Sequence, residues 1–431
     1  MTAKRNILVF LVYIIAFSFS LQNYQYTYEN STSIDFLYRT VGSRLMVDGK
    51  NPYYDKWQPH QDNPERYYHP IPRLYQKING VTVTPSILWL NSVFAEMDFC
   101  KASDTWFYIQ VSVLFVCGLL LLMSFPDFRQ KMIALIAFIA FFVFSRNFYM
   151  HLHSAQVYIF YALIFCGIYA LLESKLKNKY FYLGSLIMIG VWLKPFFIVL
   201  FLPFLFRRNL QVFKGGIVLG LVLLAHTIVF NHFHLWKEYV AAMPAYAEDV
   251  LFSDKKNFLQ IQQPNFSVQS CIYPMKYPDK LPLTAASLRS AQYYLLKSGF
   301  TITNTSFFAS ASLLITILLS IITRKRKLTN KQILGLLFAL YLIVELFTPA
   351  FRFGYYLVQW AAIAIIVLSS YKENIIAAIL VLTGLIVNNG YIPFPDAYEG
   401  SVGEALMVLG LLQFINPFVM LSFGKSPGGI R

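Results

Sequence analysis

Residues 307–344 read FFASASLLITILLSIITRKRKLTNKQILGLLFALYLIV. Two apolar runs, each about the length needed to cross hydrocarbon, are parted by a gap that holds Arg324, Lys325, Arg326, Lys327 and Lys331 and no acid. The same unit, an apolar run and then a short polar gap, repeats along all 431 residues. It implies an all-α polytopic membrane protein. Composition agrees: 57% of residues are hydrophobic and 13% charged, too little polar surface for a soluble chain of this size.

Working outward from that stretch, twelve spans are predicted, at about 6–22, 105–125, 131–146, 155–172, 180–193, 196–206, 212–231, 303–323, 331–346, 354–370, 375–389 and 404–423. With the amino terminus inside, the inner gaps carry 18 Lys and Arg against three acids (Asp127, Glu173 and Glu373), which accounts for the whole net charge of +15. This is the asymmetry that the positive-inside rule requires. The basic surplus reports orientation, and no nucleic acid is called for as a partner. Val83–Ala95 is also apolar, but a crossing there would invert everything downstream; it is read as a helix dipping into, or lying along, the outer leaflet. Lys4-Arg5 ahead of Ile7–Phe19 has the outline of a secretory signal, but no small-x-small cleavage site follows, which favours an uncleaved first span. The four cysteines, Cys100, Cys117, Cys166 and Cys271, show no metal spacing; Cys100 and Cys271 share the outer side and either pair or stay free.

Inner gaps are short, whereas two outer segments, 23–104 and 232–302, are long and rich in Tyr, Trp and Phe. Long loops in compact proteins are functional or disordered, and this composition favours order. The chain is expected to form one transmembrane unit over 1–431, with no internal repeat. Within the first loop, Ser33–Asp48 has helical periodicity: Ile34, Leu37, Val41 and Leu45 share one stripe and Asp35, Arg39 and Ser43 the other. Ser33 is the expected N-cap, and Asp48-Gly49-Lys50-Asn51-Pro52 the expected stop.

Several residues are candidates for chemistry. Asp35 is either an acid stabilised by the helix dipole or a general base facing a membrane-level cavity. Lys194, in Leu193-Lys194-Pro195, lies between two apolar stretches, where an unpartnered cation costs about 2.5–3.5 kcal/mol; it either snorkels or lines an aqueous cavity. Arg146, His151, His153 and Gln156 crowd one outer turn and Arg352 another, a set of cations and donors suited to an anionic headgroup. His151-x-His153 lacks a carboxylate cluster nearby, so no metal site is assigned. No phosphate-binding loop, GxGxxG, Asp-x-Asp pair or hydrolase elbow occurs.

Ser33-Ile34-Asp35-Phe36-Leu37-Tyr38 followed by Gly49-Lys50-Asn51-Pro52-Tyr53 resembles the first-loop signature of glycosyltransferase family 87. Ala155-Gln156 (Gly-Gln in most of the family), Leu193-Lys194-Pro195, Asn265-Phe266-Ser267 and Thr348-Pro349 follow in the family's order. Two departures are visible: Thr84-Pro85-Ser86 stands where the family has Tyr-Pro-Pro, and Tyr355-Tyr356 stands where an aromatic/histidine pair is expected.

The resemblance implies a GT-C-like enzyme of a bacterial inner membrane, with its site on the periplasmic or extracellular face. It would use a polyprenyl-phosphate sugar, mannose or another hexose or pentose, in an inverting transfer to a hydroxyl of a lipid- or glycan-linked acceptor. Asp35 would then be the catalytic base. Arg146, His153, Gln156, Lys194 and Arg352 would hold the donor's phosphate and sugar, and Arg39, Tyr53, Tyr54 and Trp57 the acceptor. No cofactor is called for with certainty, and a divalent metal stays open. The readings from other classes are a polytopic transporter or lipid flippase and a non-catalytic membrane scaffold.

Overall fold

In hydrocarbon every backbone N–H and C=O must be paired within the segment, so apolar runs become helices. The computed structural model describes residues 2–29, 33–55, 64–67, 81–143, 145–230, 232–252, 290–298, 305–348, 352, 354–389 and 399–415, and among these residues there is no strand. In chain order the helices are α1 (Thr2–Glu29), α2 (Ile34–Val47), α3 (Pro64–Tyr67), α4 (Pro85–Asn91), α5 (Phe99–Ser124), α6 (Phe128–Val143) and α7 (Arg146–His153). Next come α8 (Tyr158–Glu173), α9 (Lys179–Leu193), α10 (Leu202–Phe206), α11 (Leu210–Val229), α12 (Phe233–Phe252) and α13 (Ala291–Lys297). The last five are α14 (Thr305–Thr323), α15 (Asn330–Phe347), α16 (Ala361–Ser369), α17 (Ile375–Asn388) and α18 (Glu399–Ile415). Three 3₁₀ stretches, Ser92–Phe94, Pro195–Phe201 and Gly354–Trp360, lead into or out of them.

Within the described residues, each of the twelve predicted segments is largely helical. Among the described residues, α1, α5, α11, α14 and α15 contain apolar stretches long enough to cross a membrane by themselves, and α6 does so only if joined across its bend to α7. The other six, Tyr158–Glu173, Lys179–Leu193, Pro195–Phe206, Gly354–Ser369, Ile375–Asn388 and Val402–Ile415, are apolar but have only 10–17 residues. Proline shortens one of them: Pro195 ends α9 and turns the next stretch into a 3₁₀ helix. A hydropathy run does not register that break. The Val83–Ala95 run becomes α4 and one 3₁₀ turn; seven helical residues rise about 10 Å, far short of a crossing.

The basic gaps meet at one end of the bundle. Lys131 donates to Asn6 at 2.8 Å, Arg129 to the Tyr371 hydroxyl, and Lys331 pairs with Glu373 at 2.5 Å. Arg207 donates to the carbonyls of Thr323 and Arg326 at 3.2 and 3.3 Å, and Lys179 and Asn330 both donate to that of Leu172. Side-chain contacts thus draw together six of the inner segments that the charge pattern put on one face. α11 is largely exposed along its length and joins α9 through glycines: a Cβ on Gly215 would sit 1.9 Å from the Phe181 carbonyl oxygen. Only small residues permit backbones to approach this closely.

The other end carries α2, α4, α7 and α12. The amphipathic pattern of α2 suits a surface helix, but α2 is buried almost all round, its apolar Phe36, Leu37, Val41 and Leu45 and its polar Arg39, Thr40, Ser43 and Arg44 alike. Most of its buried polar groups find partners inside the protein, as burial requires, and Arg39 Nε is an exception. Ser43 Oγ donates to the carbonyls of Arg39 and Leu88, and Arg44 donates to those of Ala95, Met97 and Arg66 at 2.8–3.0 Å. Arg44 thereby fastens α2 to the turn that follows α4. The predicted glycine stop is present, with Gly49 at φ +72°. Ser33 occupies the N-cap position but does not cap with its hydroxyl; it adopts φ +43° and sends its N–H to the His153 carbonyl at 3.0 Å. The start of α2 is therefore docked on the end of α7.

Candidate active site

Asp35 lies in the first turn of α2, half-buried, and accepts a hydrogen bond from Gln156 Nε2. Gln156 follows Ala155, whose φ of +50° falls in the left-handed region that disfavours any side chain. A glycine there would carry no such strain. The Ala155 carbonyl accepts from Trp106 Nε1 at 3.0 Å and from Arg39 Nη2. Arg39 is sealed in, with its guanidinium 5.0 Å from the Trp106 ring centre. Burial pushes the Arg39 pKa down to about 10, and the Asp35 charge is the chief counterweight; it remains a cation near neutrality.

Lys194 occupies the break between α9 and the 3₁₀ stretch. A residue before proline is driven out of the helical region, and Lys194 is extended at φ −149°, ψ +109°. The break exposes carbonyls that must find partners: Thr84 Oγ1 donates to Leu193 O at 2.9 Å and Ser86 Oγ to Trp192 O. The Thr84-Pro85-Ser86 remnant is thus the cap on the Leu193-Lys194-Pro195 break. The Lys194 ammonium donates to the Tyr341 hydroxyl at 2.9 Å and to Glu345 Oε1. Five rings, those of Tyr158, Tyr161, Phe196, Tyr341 and Tyr356, lie 5.1–5.7 Å from it, close enough for cation–π attraction.

Behind Lys194, Arg352 Nη2 donates to Glu345 Oε2 at 3.0 Å, and both terminal nitrogens donate to Glu404 at 2.9 Å. Trp360 Nε1 donates to Glu404 at 3.0 Å, and Gln359 donates to Glu345. The two groups of residues share neighbours. Tyr158 and Tyr161 flank Lys194, and together with Tyr355 they also lie near Arg39. Tyr158 in turn lies 4.2 Å from Tyr356, ring centre to ring centre. Tyr158 and Tyr161 thus neighbour both the ringed ammonium and Arg39, the cation beside the amide-held Asp35; a carboxylate is a group able to take a proton and an ammonium one able to hold an anion.

The structure places the other candidates as follows. His153 is half-buried at the end of α7, and its carbonyl holds Ser33; His151 is fully buried against Phe148. Arg146 opens α7, roughly 10 Å of helix rise from His153, and among the described residues it makes no hydrogen bond or ion pair with either group. Arg352 is wholly buried, so it reaches an anion only through its partners. Tyr53 and Arg39 are likewise buried. The Tyr53 hydroxyl donates to the Val83 carbonyl at 3.0 Å, and its ring packs with Ala242 and Tyr239 of α12. Tyr54 is half-buried beside it, and Trp57 lies outside the described residues. Sequence reasoning missed Glu404, Gln359, Tyr341 and Tyr161. The one available signal was Glu404 and Glu345 standing in apolar runs, where a charge demands a partner.

Cys100 is disulfide-bonded and Cys117 and Cys166 are free; the remaining cysteine, Cys271, lies outside the described residues, as does Asn265-Phe266-Ser267.

An all-helical polytopic membrane protein with a buried polar centre at one end is thus defined. The model of glycosyltransferase family 87 matches residues 82–273. That match supports the assignment to the family, and the protein is a membrane glycosyltransferase, acting on a sugar donor and a glycan or lipid acceptor. The matched stretch includes Gln156 and Lys194-Pro195; Asp35 and Arg352 lie outside it. No curated protein and no solved structure matches the chain.

Proposed function

We propose that the protein moves a sugar from a polyprenyl-phosphate donor to the hydroxyl of a lipid- or glycan-linked acceptor, in one inverting displacement at the outer face of the membrane. The observation that supports this reading is that Tyr158 and Tyr161 neighbour both Lys194 and Arg39, the cation beside the Gln156-anchored Asp35. In the reaction an Asp35 oxygen takes the acceptor's hydroxyl proton as that oxygen bonds to the anomeric carbon. The bond from that carbon to the phosphate oxygen breaks, and polyprenyl phosphate leaves with one more negative charge than it had in the donor. Lys194 meets that charge directly, with Arg352 behind it steadying Glu345. Gln156 is a positioning residue for Asp35, and the Arg39 charge stands beside the carboxylate. Because a single displacement attacks from the face opposite the leaving group, the anomeric configuration inverts.

Two observations support the outer face. The basic gaps gather at the opposite end of the bundle, the cytosolic end by the positive-inside rule. Cys100, at the first turn of α5 on the site's side, is disulfide-bonded, and disulfides persist in oxidising compartments. A reporter fused after Arg326 is expected to behave as cytoplasmic, and an external signal there would overturn the orientation. The reaction is tested by giving purified protein a radiolabelled polyprenyl-phosphate mannose, and other sugars in turn, with lipid and glycan acceptors. Transfer of label with release of polyprenyl phosphate is expected. Movement of intact donor across a vesicle wall without transfer would instead make the protein a flippase.

A further inference from the structure

Neither Lys194 nor Arg352 brings an uncompensated positive charge to its site. Glu345 accepts from both cations, one on each carboxylate oxygen, and Glu404 accepts from both terminal nitrogens of Arg352. Two cations and two carboxylates therefore form a quartet whose formal charges cancel. Its members are unequally accessible: the side chain of Lys194 is 14% exposed, that of Glu345 3%, and those of Arg352 and Glu404 0%. Lys194 is also the member with capacity to spare. An ammonium has three N–H donors, of which one goes to Tyr341 and one to Glu345.

Resting on the donor reading above, we propose that Glu345 sets the charge of ligand this site accepts, admitting a phosphate that bears one negative charge and discriminating against a diphosphate that bears two. A phosphate oxygen meeting the third N–H shares the nitrogen with a Glu345 oxygen. Two acceptors on one tetrahedral ammonium stand about 4–5 Å apart, where like charges repel strongly in a buried site. One ligand charge is offset by the ammonium it touches. The charge that grows in the reaction falls on that same phosphoryl group, whereas the second charge of a diphosphate lies on another, and among the described residues neither Arg352, paired with two carboxylates, nor Arg39, which donates to the Ala155 carbonyl beside Asp35, is placed to meet it. The rings around Lys194 present π faces, which favour cations and oppose anions. Glu345 thus works by repulsion, as specific sites do when they build in an unfavourable contact for the wrong ligand.

The test uses the full chain in detergent and two sugar-free probes one charge apart, farnesyl methyl phosphate and farnesyl methyl diphosphate, with dissociation constants read by calorimetry. The unsubstituted protein is expected to prefer the monophosphate by about tenfold or more. Glu345→Gln is expected to move that ratio toward the diphosphate by about tenfold. Glu404→Gln, which touches Arg352 and not Lys194, moves it less, and Glu345→Asp, which keeps the charge, leaves it in place. A folded Glu345→Gln protein with an unmoved ratio, or an equal effect from Glu404→Gln, overturns the proposal. If Glu345→Gln does not fold, Glu404→Gln decides: a ratio that stays put sinks the idea. Lys194→Gln separates this failure from that of the donor reading. If it binds farnesyl methyl phosphate undiminished, Lys194 does not hold the phosphate and both readings fall. If it binds weakly while Glu345→Gln leaves the ratio alone, only the role of Glu345 falls.

Discussion

Asp35→Asn is expected to lower the rate of glycosyl transfer by about 10²–10⁴-fold, the usual contribution of a positioned general base, with donor binding and thermal stability little changed. Asparagine keeps the size of the side chain and one oxygen able to accept from Gln156 Nε2, so the contact that anchors position 35 survives. What is lost is the lone pair basic enough to take a hydroxyl proton. The competing role, an acid placed to complement the helix dipole, leads to the opposite pattern. Asparagine would then cost about 0.3–1 kcal/mol of stability and leave turnover intact. Single-turnover transfer at saturating donor, read beside a melting curve in detergent, distinguishes the two roles; undiminished turnover removes Asp35 as the base.

The parts of this fold that were legible in the sequence are those governed by one-dimensional rules. Alternating apolar runs and basic gaps located the helices and grouped the inner gaps, and contacts such as Lys331–Glu373 and Lys131–Asn6 join gaps more than 40 residues apart. Lys194-Pro195 was legible for the same kind of reason: proline restricts its predecessor whatever surrounds it, and Lys194 is indeed extended at a helix break. Partnership was not legible. Nothing local in Glu404 tells that it faces Arg352, 52 residues away, or that Glu345 divides its two oxygens between Lys194 and Arg352. Burial misled in the same way: α2 has an amphipathic sequence, but the elements that close over its polar side come from distant parts of the chain. Arg39, Arg352 and Tyr53 accordingly become supports, because each is sealed under neighbours that the local pattern does not name. The clustering also bears on the transporter reading. Four buried charges touching one another form a single centre, whereas a transport path needs them spaced along its length.

Lys194→Gln is expected to lower the transfer rate constant by about 10²–10³-fold, or about 2.7–4 kcal/mol of transition-state stabilisation, with a smaller rise in donor KM. Charge on the phosphate oxygen grows as its bond to the anomeric carbon breaks, so the ammonium contact strengthens toward the transition state, and contacts of that kind appear in kcat. The substitution also leaves Glu345 with one cation fewer, and removing one partner of a buried pair costs about 3–5 kcal/mol on its own. A loss of activity by Lys194→Gln alone is therefore open to a purely structural explanation. Pairing it with Glu345→Gln resolves this, because the double variant removes one charge of each sign and leaves Arg352 with Glu404 as a complete pair. If Lys194 only holds the fold, the double variant regains both its melting temperature and its turnover. If Lys194 meets the leaving phosphate, stability returns and turnover does not, a non-additive pattern in one property and an additive one in the other. Turnover restored by the double variant would show that the leaving group is stabilised elsewhere, and Arg146 would be the next cation to test.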